Sequence, residues 1–330
     1  MSVSNNSDFL FLFEASLCNP NGDPDQENKP RMDYDTDTNL VTDVRIKRYI
    51  RDFLKAAGEE IFVDLEGDAK VTMDNKLKGA LTKIWDNDEE LLGIFGSEEM
   101  LKKYHDIKGS DSAKTIEKIV SDKPTDPAVN QALLNGLVAR KFPDIRMFGS
   151  AFAIKGFNRS ITGPIQMNWG YSLNKVYLLD SDTIASVMND GNSTFGKDYR
   201  VKYSLLAIHG TINKAASETT GLTDGDVEKF RNALWQSISA NPTRSKLNQY
   251  PKLYLELQYN DGFYNGHFGD LRNLVSVTYK EKDAERKVKS LADLRLDFSA
   301  LKQVLESETG PDKAIRHSIL KTAPDLKNHF

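Results

Sequence analysis

The 330-residue chain carries 44 basic and 48 acidic side chains, a formal charge of −4, with 39% hydrophobic and 28% charged residues. That is the composition of a soluble globular protein of one large or two ordinary domains, and its 16 Phe, 12 Tyr and 3 Trp exclude a disordered chain. No apolar run approaches the roughly 18–20 residues that a membrane span needs, so no membrane role is expected.

Other exclusions follow from single residue types. The one cysteine, Cys18, rules out an internal disulfide and a multi-cysteine zinc site and fits a reducing cytoplasm. The N-terminus has no basic n-region or signal-peptide cleavage pattern. A pI near 5.8 means that any nucleic-acid binding must rely on locally concentrated positive charge.

In chain order, residues 8–17 read as a strand apolar on both faces, hence central and covered. The turn-rich loop Asn19-Pro-Asn-Gly-Asp-Pro24 follows and stays polar to about Asn39. Thr42 or Asp43 caps a predicted helix reaching about Ala57 and closed by Gly58. Ile61-Phe62-Val63 reads as a short strand. Residues 66–140, rich in acids and broken at Gly93, Gly96, Gly109, Pro124 and Pro127, read as a helical insertion.

Strand patterns return from 146 to 173, with turns at Gly156 and Gly163-Pro164. Residues 175–200 form a polar excursion around Asp190-Gly191-Asn192. Val201, Tyr203, Leu205 and Ala207 then alternate along a strand. Thr223 caps a helix with Val227, Phe230, Leu234 and Ile238 inward, and Leu253, Leu255, Leu257 and Tyr259 alternate along another strand. A glycine-rich stretch, 262–269, leads to a highly charged end with a helical pattern at 291–307. Without the insertions the order is strand–helix–strands–helix–strand, an α+β, ferredoxin-like arrangement shared with RNA-recognition (RRM-like) modules.

The first helix bears the clearest chemical signal. At 100° per residue, Ile46, Ile50, Phe53, Leu54 and Ala57 share one sector, while Arg45, Lys47, Arg48, Arg51 and Lys55 fall opposite, interrupted only by Asp52. A solvated outer face is the ordinary explanation; a bound polyanion would relieve the mutual repulsion and release counterions. From 140 to 175 there are six cations (Arg140, Lys141, Arg146, Lys155, Arg159, Lys175) and one acid, Asp144, interleaved with Phe148, Phe152, Phe157 and Trp169. Cations among aromatics are the usual surface for single-stranded nucleic acid, although Phe148 and Phe152 read as core aromatics before stacking ones. The stretch 199–217 is also acid-free and holds Arg200, Lys202, His209 and Lys214.

The alternating oxygens of Asn19, Asn21, Asp23, Asp25 and Glu27 suggest calcium, but Gly22 comes too early for an EF-hand and two prolines stiffen the loop. No metal or cofactor is expected. Asn19, Asn21 and the Gly22 amide suit a phosphate or sugar better. The five histidines are scattered without metal spacing, and no nucleophile-elbow, P-loop or dinucleotide motif occurs, so no catalytic residue is assigned.

Asn19-Pro-Asn-Gly-Asp-Pro24, Arg31-Met-Asp33 and Leu40-Val-Thr-Asp-Val-Arg-Ile-Lys-Arg-Tyr-Ile-Arg51 closely resemble the N-terminal signature of the RAMP-superfamily backbone subunit of type I CRISPR surveillance complexes (Cascade), most like subtype I-B and close to I-C. Asp144-Ile-Arg-Met-Phe-Gly149, Ile161-Thr-Gly-Pro-Ile-Gln166 and Tyr199-Arg-Val-Lys-Tyr-Ser204 continue the resemblance in order. It implies a hand-shaped, non-catalytic subunit with a palm of 1–65, 141–174 and 200–280. Helical fingers would span 66–140, a thumb 175–199, and a helical extension 281–330. Copies would polymerise along crRNA beside other Cascade subunits and present guide bases to a target DNA strand. The implied RNA-binding residues are Asn19, Asn21, Thr42, Arg45, Lys47, Arg48, Arg51, Gly163, Gln166, Arg200 and Lys202. Related type III subunits cleave RNA with a loop acid and a metal, a role that would fall to Asp33, Asp35 or Asp37. A general single-strand RNA-binding module is a further alternative.

Overall fold

The expected central strand, Ser7–Cys18, sends Phe9, Phe11 and Phe13 to one side and Leu10 and Leu12 to the other, and all five are fully buried. In a computed structural model the chain is described over residues 2–66, 69–70, 72–121, 124–154, 157–185, 195–281 and 284–327. The expected turns at Gly156 and at 190–192 lie outside the described residues. The chain divides into two compact units, one of 5–53, 165–213 and 230–330, the other of 1–4, 54–164 and 214–229.

The first unit is built on an antiparallel sheet in which, among the described residues, nine strands take part. Ser7–Cys18 pairs on one side with the long strand Phe195–Ile212 and on the other with Gln249–Tyr259. Outward from the long strand come Gly170–Ser172, Thr38–Val41 and Met32–Asp33; Ile165–Met167 and Leu178–Ala185 also pair with it. On one sheet face Phe9 packs edge-on against Phe230 at 5.4 Å and beside Tyr254 at 5.8 Å. On the other, Leu10, Leu12, Leu205, Leu253, Leu255 and Leu257 join Leu294, Phe298 and Leu301 in one cluster. Each fully buried Leu or Phe contributes about 1.5–3 kcal/mol, so this two-sided core dominates the unit's stability.

Two sequence expectations change here. The pattern at 291–307 is a 3-10 turn, a strand at Leu294–Asp297 and a helix at Ser299–Glu308. Beyond it Ile315–Thr322 is a strand, hydrogen-bonded along Gln249–Tyr259 at the sheet edge. Arg316 and His317, on opposite faces, are both exposed, the polarity that edge strands favour and that hides strand alternation in a sequence.

The second unit is mainly helical: Met73–Ile84, Asp88–Phe95, Glu98–Ile107, Ser112–Ile119, Pro127–Lys141 and Pro143–Phe148, then a hairpin of Gly149–Ile154 with Phe157–Thr162. Asn87, Asp111 and Asp126 cap three of these helices through their side chains. Ile61-Phe62-Val63 is not a strand. The backbone N–H groups of Phe62 and Val63 donate to the fully buried Asp144 carboxylate at 2.9 and 3.1 Å, which holds the bend and lets Phe62 pack on Phe142 and Phe152. No helix among the described residues is long and apolar enough to cross a membrane.

Candidate nucleic-acid interface

The helix Asp43–Ala56 has two faces: Ile46, Ile50 and Leu54 are buried as expected, with Tyr49 beside them, while Phe53 is only half-buried and Ala57, past the helix end, is exposed. Its start is fixed by a loop residue. Asn21 Oδ1 accepts from both the N–H and the hydroxyl of Thr42 at 2.9 Å, and Thr42 Oγ1 accepts from Arg45 N at 3.2 Å. Asn21 and Thr42 therefore act on each other and on the helix cap.

The opposite face is less bare than its cations suggest. Lys47 pairs with Asp43 at 2.9 Å, Arg48 with Asp52 at 2.5 Å and Lys55 with Asp64 at 2.6 Å. Arg45 lies 4.1 Å over the Tyr49 ring, with its Nε buried and unpartnered. Arg51 is half-buried.

Arg45 borders a cavity of about 570 Å³ lined also by Asn19, Asn21, Gly22, Asn28, Lys197, Asp198, Tyr199 and Thr243–Lys246. Four cations, Arg45, Lys197, Arg244 and Lys246, face one acid, Asp198. Burial would raise the Asp198 pKa, but the guanidiniums of Arg200 and Arg244, at 2.8 and 2.7 Å, outweigh that and hold it below the usual carboxylate range. Lys246 donates to the Asn19 carbonyl, and burial, with Arg45 nearby, pushes its pKa down to about 8. Asn19 Nδ2 donates to Asn28 O at 2.6 Å, while its Oδ1 is buried and unpartnered. The unpartnered Arg45 Nε donor and a surplus of cations suit a hydrogen-bonding anion, while the Asn19 Oδ1 acceptor suits a donor such as a sugar hydroxyl.

The other expected positions are not among the residues that line this cavity. Arg200 spends its guanidinium on Asp198 and on the carbonyls of Leu17 and Arg244. Lys202 borders a second, smaller cavity. Gln166 is exposed on the strand Ile165–Met167, and the backbone of Gly210 passes so close to Gln166 O that a Cβ there would sit 2.7 Å away. Gly163, in the helical unit, meets backbone: a Cβ would lie 2.0 Å from Phe148 C and 2.3 Å from Gly149 N.

The cation–aromatic run of 140–175 does not form one surface. Phe148 and Phe152 are core, Lys141 pairs with Glu90, and Arg146 is held bidentate by Asp226 at 2.9 and 2.7 Å. Trp169 is half-exposed, with Arg31 at 5.9 Å from its ring. Lys155 lies outside the described residues. In the acidic loop, Asp33 accepts from Asp35 N at 3.0 Å and from the Thr36 hydroxyl at 2.7 Å, which closes its own turn. His209 is buried, accepting from Leu271 N at 3.5 Å, and burial lowers its pKa. Burial pushes the Cys18 thiol up to about 12.

Sequence inspection missed Arg244 and Lys246. Their one signal was an acid-free run from 229 to 255 containing Lys229, Arg231, Arg244, Lys246 and Lys252, half of it a helical pattern, and nothing local says that its end meets Asn19.

A double-faced antiparallel sheet with helices and a cation-lined cavity define an α+β protein with a basic recess. The family model "CRISPR-associated protein Cas7" matches residues 5–299, and the chain belongs to that family. A curated relative from Haloferax volcanii, "CRISPR-associated protein Cas7", is 32% identical over 314 residues, 93% of this chain and 84% of that protein. Two solved chains, from "CRISPR RNA-guided surveillance complex, pre-nicking" and "CRISPR RNA-guided surveillance complex", have TM-scores of 0.47 and 0.39 at 12% and 11% identity. Each covers 78% of this chain, and the matches span 79% and 70% of those chains.

Proposed function

We propose that this chain is the non-catalytic backbone subunit of a type I CRISPR surveillance complex, close to subtypes I-B and I-C. Copies line up along crRNA in the cytoplasm with other Cascade subunits, hold its phosphates and present its bases to the target DNA strand. Membership of the family across residues 5–299 is the observation that carries this assignment. Strand and helix order in the sheet unit supports an RRM-like palm, with 66–140 as fingers, 175–199 as thumb and the chain from 281 on as an extension. Sequence selectivity would come from base pairing, the protein gripping backbone and shape.

The guide backbone is assigned to the cavity of Arg45, Lys197, Arg244 and Lys246, with Asn19 and Asn21 at its wall, and runs on over Lys47, Arg48 and Arg51. Arg200, Lys202, Gly163 and Gln166 are placed along its path as supporting positions. No observation favours the RNA-cleaving alternative, because Asp33 closes a turn with its carboxylate.

Size-exclusion chromatography with light scattering tests the assembly. Mixed with guide RNA, the 37.1 kDa chain should give multimeric particles with nucleic-acid absorbance that dissociate as salt rises. Arg45→Gln with Arg244→Gln should weaken RNA binding about tenfold or more and flatten the log–log salt slope by roughly 1.4. If the double variant bound RNA with unchanged affinity and slope, the cavity would not be the RNA path. If the wild-type chain took up no RNA even with its partner subunits, the backbone role would fail.

A further inference from the structure

Lys246 differs from the other cations of the basic cavity. It is half-buried, its Nζ donates to the Asn19 carbonyl, and burial with Arg45 nearby loosens its proton. The charged and titratable groups around it come from four places. Arg45 lies on the helix Asp43–Ala56 and Cys18 at the end of the first strand; Arg244 shares the loop of Lys246, and Lys197, Asp198 and Tyr199 belong to the long strand. The Asp198 carboxylate is taken up by Arg200 and Arg244, and burial keeps the Cys18 thiol protonated. Neither therefore pairs with the amine.

An amine in that position is a nucleophile at mildly alkaline pH. At pH 8 about half of it carries a free lone pair, against about 0.4% of an ordinary lysine. Its hydrogen bond to the Asn19 carbonyl uses one N–H and leaves that lone pair available. The groups beside it suit a phosphate. Arg45 has its Nε unpartnered, Arg244 gives one nitrogen to Asp198 at 2.7 Å, and Lys197 shares its charge with Glu27 at 3.0 Å. A recess of about 570 Å³ has room for a phosphate dianion and a small acyl group attached to it.

We propose that Lys246 is a modification site, acylated by small acyl phosphates whose phosphate is held by Arg45, Arg244 and Lys197. The Nζ lone pair forms the N–C bond to the acyl carbonyl carbon. The C–O bond to phosphate breaks, and phosphate leaves with that electron pair and takes up the proton that the nitrogen loses. The products are an amide and inorganic phosphate, with no change of oxidation state. Cations around the phosphate stabilise the charge that builds on it as it leaves. Acylation removes one of the four positive charges and fills part of the recess. On the function proposed above, on which this consequence rests, it switches off RNA binding by free chains, while a bound RNA phosphate shields the amine.

The test treats the full chain with millimolar acetyl phosphate at pH 8 and follows each lysine by peptide mass spectrometry. Lys246 should be acetylated about tenfold faster than Lys114, whose side chain is 85% exposed; its lower basicity offsets part of the gain in free lone pair. Excess inorganic phosphate should slow Lys246 about threefold or more and leave Lys114 unchanged, and so should Arg244→Gln, a substitution at an exposed side chain. A Lys246 no faster than Lys114 would overturn the site. So would a fast Lys246 indifferent to inorganic phosphate and to Arg244→Gln, since that is a reactive amine without a phosphate cradle. Single-stranded RNA should shield Lys246. Selective acetylation that RNA does not slow would remove the RNA path from this cavity and leave the modification site standing.

Discussion

Two buried ion pairs, one in each unit, show how individual charges are made tolerable. Glu256 is fully buried; burial pushes its pKa up, but Arg231, bidentate at 2.8 and 2.7 Å, and the Tyr254 hydroxyl outweigh this and hold it below the ordinary carboxylate value. Asp226 is kept low in the same way, burial being outweighed by Arg146. Removing one partner leaves a buried charge uncompensated, so Arg231→Met should cost about 3–5 kcal/mol in urea unfolding at pH 7. The pH dependence has a definite sign. A carboxylate whose native pKa is depressed below its unfolded value of about 4.3 stabilises the fold above that value and loses the contribution as pH falls through the native one. The gap between wild type and Arg231→Met should therefore narrow between pH 6 and pH 3. A constant gap over that range would mean that the ionic interaction contributes nothing.

At the level of elements, close approach is as restrictive as charge. The hairpin of the helical unit pairs Gly149 with Thr162, and Gly149 has φ +73°. The next residue, Gly163, has backbone where a Cβ would go. Gly163→Ala should cost about 1–3 kcal/mol through overpacking and speed amide exchange across 149–162. Unchanged exchange would show that the backbone there gives way freely. The sequence motif around Gly163 is thus explained by packing before any contact with RNA is invoked.

Elements also show what could be read in advance. The amphipathic face of 43–56 and the strands at 8–17, 201–212 and 253–259 were legible because burial on one or both faces leaves a local period. The pairing of Lys47 with Asp43 and of Arg48 with Asp52 was readable too, one turn apart on the helix, yet counting cations by sector hid it. The meeting of Asn19 with Lys246 was not legible, since it closes across more than 200 residues and leaves no local pattern. The edge strand 315–322 failed for another reason: its charged, solvent-facing residues mask the alternation.

Over the whole molecule, a net charge of −4 coexists with a recess of four cations and one acid. On the proposed function, like charge elsewhere would keep copies apart until a polyanion bridges them, so assembly should be RNA-dependent and salt-sensitive. Lys246 gives that assembly a second variable. Its native pKa, about 8, lies below the unfolded value of about 10.4, so folding stability should rise between those pH values as the native ammonium sheds its proton. A phosphate beside it favours the charged form, so RNA affinity should move the other way and fall as pH rises through 8. Lys246→Gln should remove both trends; a variant that kept the same pH dependence of RNA affinity would exclude this lysine.

The cost of burying that ammonium also has a calorimetric signature. If the proposed function holds, each copy that closes on RNA near pH 8 should take up a fraction of a proton from the surrounding buffer. The apparent heat of assembly will then depend on which buffer supplies it, more endothermic in Tris than in phosphate, while the affinity in the two stays the same.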